Sequence, residues 1–193
     1  MNGPDVLGAV GELMAVLEAL GVKGLIGGSL ASSTWGEPRF TQDVDIVADL
    51  REEHARPLAE RLASSWYVDE ESIREAVRAQ RSFNVIKLRG MVKIDVFVPP
   101  EAGHHLAKWS RARRVTLDPR SPNGWLVTSA EDIVLQKLVW YRMGDEVSEQ
   151  QWRDVTSLLR VRNKQLDFEY LRAWAARLAV TDLLERAWVA SSA

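Results

Sequence analysis

Asp43 and Asp45 are separated by one valine in the run DVDIVAD. Charged residues alternating with branched apolar ones predict a strand, and on a strand residues two apart share a face. Two like charges held side by side are costly unless a cation neutralises them. Oxygen ligands at that spacing suit Mg²⁺, which takes one or two carboxylates plus substrate phosphates. Upstream, Gly27, Gly28 and Ser29 stand where the apolar strand VKGLIGG runs into the helix-forming SLASSTW. The backbone N–H groups of such a turn attract an anion. A third acid, Asp95, lies in VKIDVFV, where a lone carboxylate is expensive unless it faces a polar site. A phosphate cradle with these carboxylates describes two-metal chemistry on a nucleoside triphosphate.

The elements that must position these residues follow from periodicity. Leu7, Val10, Leu13, Met14, Leu17 and Leu20 recur at helical spacing and predict a helix over 5–20, closed by Gly21. Helices are expected over 51–64 and 70–80. FNVIKLRGMVKIDVFV reads as a hairpin around Arg89-Gly90. RRVTL and GWLVT are weaker strand candidates. After Thr128 the pattern becomes helical throughout. TSAEDIVLQKLVWYRMG begins with Ser129 as N-cap and Asp132 three positions on, an acidic variant of the capping box. Three further helical segments follow. The fold class expected is α+β: a small mixed sheet with flanking helices over 1–127, then a helical bundle over 128–193.

The bulk numbers fit this. The 193 residues suit one domain, or one with a helical appendage. A net charge of −2 does not advertise nucleic-acid binding. The absence of cysteine excludes disulfides and thiolate metal sites, and it fits a reducing, cytoplasmic compartment. The N-terminal segment lacks a basic leader and reads as a mature helix, and no apolar run is long enough to span a bilayer. The eight scattered tryptophans read as packing residues.

The order Gly27-Gly28-Ser29, helix, Asp43-x-Asp45, then a later strand Asp95 resembles the DNA polymerase β-like nucleotidyltransferase superfamily. GGSLASSTWGEPRFTQDVDIV looks most like its bacterial AbiEii-type branch, which includes nucleotidyltransferase toxins of toxin–antitoxin pairs; Arg39, Thr41 and Asp43 are part of that likeness. EDIVLQKLVW and QWRDV resemble the C-terminal helices of that branch, and place Lys137 and Asp154 at its lysine and aspartate positions. The resemblance implies transfer of a nucleoside monophosphate from an NTP to an acceptor, with release of pyrophosphate. Asp43, Asp45 and Asp95 would hold two Mg²⁺ ions. Asp95 would also orient or deprotonate the acceptor hydroxyl. Gly27, Gly28 and Ser29 would bind the triphosphate, and Lys137 would add a point charge to it.

Each residue also has a plainer reading. Arg39 either contacts phosphate or braces Asp43. Lys137, among apolar neighbours, is otherwise a snorkelling lysine. Asp154 otherwise pairs with Arg153 or a nearby arginine. His54, His104 and His105 lack ligand spacing and read as surface or loop residues. KWSRARRVTLDPR concentrates Lys108, Arg111, Arg113, Arg114 and Arg120 around Trp109. That segment is either a patch for an RNA backbone with a stacking platform or a solvated basic loop. The leading functional expectation is therefore a nucleotidyltransferase acting on RNA (tRNA) or protein, with a toxin role and a cognate antitoxin brought in by the likeness. The alternatives are a small-molecule, antibiotic-type nucleotidyltransferase and a non-catalytic nucleotide- or partner-binding module.

Overall fold

The computed structural model describes residues 5–38, 44–100 and 103–191. In chain order the elements are α1 (Val6–Ala19), β1 (Gly24–Ile26), α2 (Gly28–Trp35), β2 (Val44–Ala48), α3 (Glu52–Leu62), β3 (Trp66–Tyr67), α4 (Glu70–Ala79), β4 (Ser82–Lys87) and β5 (Val92–Phe97). They continue with α5 (His104–Arg111), β6 (Arg113–Val115), β7 (Trp125–Val127), α6 (Ala130–Met143), α7 (Glu149–Arg162), α8 (Phe168–Arg177) and α9 (Thr181–Ser191). The strands form one mixed seven-stranded sheet in the order β3-β4-β5-β2-β1-β7-β6. The α+β class expected from sequence is the class observed.

The chain divides into two compact units. The first comprises 1–29 and 41–127 and carries the sheet. Its core follows from strand alternation. Val44, Ile46 and Ala48 of β2, Phe83 and Val85 of β4, and Val92, Ile94 and Val96 of β5 are all buried, and their neighbours in sequence point to the other face. α1, α3 and α4 pack together against the buried side. α1 supplies Val10, Leu13 and Leu17, and α3 supplies Leu58 and Leu62. Asp5 starts α1 by accepting the Gly8 N–H at 2.9 Å, and Asp69 starts α4 by accepting the Ser72 N–H at 2.8 Å.

The second unit comprises 30–40 and 128–193, so α2 belongs to it from Leu30 onward. Within it, the Trp35 indole donates to the Thr128 carbonyl at 2.6 Å, and the Ser157 hydroxyl accepts the Glu37 N–H at 2.9 Å. The predicted capping at Ser129 is present: its hydroxyl accepts the Asp132 N–H and donates to the Asp132 carboxylate at 2.6 Å. The Tyr170 hydroxyl donates to the other Asp132 oxygen at 2.6 Å, and Glu131 accepts the Asp167 N–H at 3.0 Å. The start of α8 is thereby tied to the start of α6, and Asp132 is fully buried with its oxygens satisfied.

Two elements escaped the sequence reading. β3 is two residues long, too short to show alternation. α5 occupies HHLAKWSR, where the inward positions are His104 and Lys108. These lie four apart on one helical face but do not register as apolar in a periodicity count. Among the described residues no helix is long and apolar enough to cross a membrane.

Candidate active site

β2 and β5 run parallel, with Asp45 and Asp95 as direct register partners. Both are half-buried on the face opposite the core. Neighbouring strands lie about 4.8 Å apart, so two carboxylates in register stand side by side. Like charges directly opposite destabilise a sheet unless a cation neutralises them. Lys93, two residues before Asp95 and on the same face, places its ammonium 3.0 Å from the Asp95 carboxylate. The sequence reading missed Lys93, although the two-residue spacing that pairs Asp43 with Asp45 applies to it equally.

The glycine turn meets this pair directly. The Gly27 N–H donates to the Asp45 carbonyl at 2.9 Å. Gly28 opens α2 with φ +50°, a left-handed conformation that glycine adopts without penalty. A Cβ built on Gly28 would lie 1.5 Å from Asp45 Oδ2. The carboxylate therefore occupies the space that any side chain at 28 would need, and Asp45 lies against the turn that starts α2. Turn and carboxylate, linked in the sequence reading by chemistry alone, are adjacent in the structure.

Of the expected ligand set, Asp43 lies outside the described residues, as do Arg39 and Thr41. Among the described residues no group of three His, Cys, Asp or Glu is close enough to hold a metal ion. The two carboxylates that are described fit a hard divalent cation of the Mg²⁺ type. They are oxygen donors on one face, and that cation takes one or two protein carboxylates with phosphate and water completing its shell.

The structure brings Lys137 and Asp154 together within the second unit. Lys137 is 2% exposed. Its ammonium lies 2.8 Å from Asp154 Oδ2 and donates to Gln151 Oε1 at 2.9 Å. It does not snorkel, and Asp154 takes Lys137 as a partner. α6 and α7 pack face to face, and the pair closes that seam where either residue alone would be a buried charge.

The basic segment 108–120 spans the end of α5 and all of β6, with Arg113, Arg114 and Arg120 exposed. Lys108 is buried in α5 and so is His104, which corrects the reading of that histidine as a surface residue. His105, beside them, is half-buried, and its pKa is pushed down to about 4, first by burial and then by the positive charge of Lys108. Arg114 donates to the Gly124 carbonyl at 3.1 Å. Arg120 donates to both Asp5 oxygens at 2.6 and 2.8 Å and to Asp118 at 2.9 Å. His54 is structural too: its Nδ1 accepts the Arg51 N–H at 3.0 Å at the start of α3.

No protein-family model matches the chain, and no curated protein matches it. Solved structures do. One is ANT(2")-Ia in complex with adenylyl-2"-tobramycin, at TM-score 0.59 and 13% identity, covering 89% of this chain and 95% of that one. A second is an antigenic nucleotidyltransferase-like protein from Paracoccidioides brasiliensis, at TM-score 0.53 and 18% identity, covering 95% and 92%. A third is the lincosamide antibiotic adenylyltransferase LnuA with lincomycin bound, at TM-score 0.51 and 12% identity, covering 83% and 99%. The chain has the nucleotidyltransferase fold, as the sequence resemblance implied.

Proposed function

We propose that the chain is an Mg²⁺-dependent nucleotidyltransferase that moves a nucleoside monophosphate from an NTP to an acceptor hydroxyl. The observation carrying this reading is the register pair Asp45–Asp95 set against the Gly28 turn. In the proposed reaction the acceptor oxygen attacks the α-phosphorus and a new P–O bond forms. The bond from that phosphorus to the α,β-bridging oxygen breaks, and pyrophosphate leaves with the electron pair. Asp95 orients the acceptor hydroxyl and takes its proton, a base within reach of the attacking atom. Asp43, Asp45 and Asp95 are the residues that would hold Mg²⁺. Bound there, the metal supplies charge stabilisation at the attacking and leaving oxygens. The N–H groups at Gly27, Gly28 and Ser29 receive the β,γ-phosphates, and Arg39 is assigned to the same group. For Lys137 we propose the role the resemblance gives it, a point charge added to the triphosphate, and we assign Asp154, its ion-pair partner, to the same group.

The acceptor reading shifts from the RNA or protein first expected. Of the residues that favoured RNA, Lys108 is buried and Arg114 and Arg120 bond within the fold, which weakens that reading. Two structures sharing the fold hold an antibiotic or its adenylylated product. We therefore read the acceptor as a small hydroxyl-bearing molecule. The AbiEii-type toxin reading, with its antitoxin, rests on the likeness of residues 27–47 and, more loosely, of the helical segments EDIVLQKLVW and QWRDV. An NTP-consuming enzyme of this kind belongs in the cytoplasm.

The test incubates the purified chain and an Asp45→Asn variant with each labelled NTP and Mg²⁺, adding tobramycin, lincomycin, total tRNA or cell lysate in turn. Label moving to a small molecule in the wild type alone supports the reading. Label moving to RNA or protein restores the first expectation. No transfer together with no nucleotide binding leaves a non-catalytic module and ends the proposal.

A further inference from the structure

The site has a direction. Across the sheet the order is β1, β2, β5, β4, and the polar residues follow it: Gly28 at the start of α2, Asp45, Asp95, then Asn84. Asn84 is the direct register partner of Asp95, as Asp45 is on the other side. Residues directly opposite in a sheet share a face, so Asp45, Asp95 and Asn84 form one row over three adjacent strands. Alternation along β4 confirms the assignment: Phe83 and Val85 are buried in the core, while Ser82 and Asn84 are exposed.

In-line displacement puts the attacking and leaving oxygens on opposite sides of the phosphorus. On the reading above, pyrophosphate leaves over the glycine turn, at the β1 end of the row. The acceptor must then arrive from the β4 end. What stands there is a groove. A cavity of about 780 Å³ runs along β4 and α4, lined among others by Tyr67, Ser72, Glu75, Ser82, Asn84 and Ile86. β3 pairs only with Ile86 and Lys87, so among the described residues the outer edge of β4 from Ser82 to Val85 has no strand partner, and its backbone groups border the groove.

The lining sets the chemistry. Asp69 and Glu75 are matched by Arg78 and Arg81, and the Arg78 guanidinium is already bonded to Glu52. The groove does not select by net charge. It offers hydroxyls, a carboxylate and an amide that both donates and accepts. Tyr67, 63% exposed, adds an aromatic face. Such a lining fits a polyhydroxylated ring, with its C–H face on the tyrosine and its hydroxyls on the polar groups. We infer that this groove is the acceptor subsite, that its occupant is a sugar- or cyclitol-type polyol, and that Asn84 holds the hydroxyl next to the one that attacks. This inference rests on the nucleotidyltransferase reading and adds to it the acceptor class and a residue that selects for it.

The test uses the full chain with Mg²⁺, ATP and three probes: tobramycin, lincomycin and myo-inositol. Mg²⁺–ATP binding is measured by calorimetry, acceptor turnover by pyrophosphate release, and acceptor contact by amide shifts with a non-hydrolysable ATP analogue present. The expected result is that a turned-over probe shifts the amides of residues 82–86 and Tyr67. Asn84→Leu then raises the KM for that probe by about tenfold or more, the loss of one buried polar contact, with the Kd for Mg²⁺–ATP held within about twofold. Tyr67→Ala, on a different strand, raises the same KM and guards against a folding defect at position 84. Turnover that is lost in Asp45→Asn while KM is unmoved in both groove variants overturns the subsite and leaves the reaction class standing. Amides of β4 that respond to none of the probes overturn it equally. Failure of the wild type to bind Mg²⁺–ATP removes the reaction class, and the subsite with it.

Discussion

Two regions of this chain concentrate charge, and they treat it in opposite ways. On the sheet, Asp45 and Asp95 stand side by side on adjacent strands, half-buried and reachable from solvent. The ammonium beside Asp95 belongs to a lysine whose side chain is 49% exposed. Between α6 and α7, Lys137 and Asp154 face each other at 2.8 Å with side chains 2% and 8% exposed. The first arrangement sets two like charges side by side near the surface, with an exposed ammonium beside one of them. The second satisfies its charges inside the protein. Removing charge should therefore help the first region fold and harm the second, while the activity readout should fall in the first whatever the fold does.

The largest effect expected is in the first region. Asp45→Asn should reduce nucleotidyl transfer by about a thousandfold or more, since electrostatic positioning carries most of phosphoryl-transfer catalysis. The melting temperature should stay or rise, because one of two like charges is gone. A fall of more than a few degrees, read by calorimetry, would break the comparison. Lys137→Met should do the reverse to the fold. Removing one partner of a buried pair costs about 3–5 kcal/mol, on the order of 10 °C for a chain of this size. The double variant Lys137→Met/Asp154→Leu should recover most of that loss, because an apolar pair of similar volume replaces the ion pair. Activity then decides the role of Lys137. A stable but inactive double variant supports the charge proposed for the triphosphate, and a stable and active one reduces the pair to packing.

The same contrast explains what was legible in the sequence. The carboxylate face was readable because strand alternation maps spacing directly onto a face, so Asp95 inside VKIDVFV had to point away from the core. The capping at Ser129 was readable because it is local. Lys137 and Asp154 were each singled out by resemblance, but their pairing was not foreseen, since nothing in a sequence tells which buried acid a lysine seventeen residues away will meet. α5 was illegible for a related reason: His104 and Lys108 bury their apolar parts, and a count of apolar residues passes over them. Arg120 looked like part of a basic patch because its partner Asp5 lies 115 residues away. Register is the other hidden quantity. That Asn84 stands beside Asp95, and Asp95 beside Asp45, is fixed by strand pairing, which periodicity does not supply.

Gly28→Ala sharpens the first region. The added Cβ would sit on the Asp45 carboxylate in a backbone with φ +50°. Either the carboxylate moves or the turn does, so transfer should fall by about a hundredfold, with a stability cost of roughly 1–3 kcal/mol for the strained conformation. Full activity would mean that Asp45 is not needed where the structure puts it. Lys93→Met is gentler. The pair it breaks is partly exposed and worth little, about 0–1 kcal/mol. Its effect should appear in metal dependence instead. Without an ammonium competing for Asp95, the Mg²⁺ concentration giving half-maximal rate should fall by about two- to threefold. A rise would assign Lys93 to substrate binding.

The smallest effect belongs to a third arrangement, exposed charges that are nevertheless paired. Asp5 has its pKa lowered from 3.8 to about 2, chiefly by the hydrogen bonds from Arg120 and then by the Gly8 N–H. Asp118 is lowered by the same guanidinium. A carboxyl that is more acidic in the native state than in the unfolded chain adds stability above its unfolded pKa, and that stability is lost as the pH falls through its folded pKa. The contribution of Asp5 should therefore be complete above about pH 4 and should fade as the pH drops toward 2. Arg120→Met should lower the melting temperature near neutrality by only about 1–3 °C, the range for an exposed pair. The difference from wild type should shrink on acidification and should shrink further in high salt. If the difference instead persisted to pH 2, Arg120 would be acting through packing of its aliphatic stem.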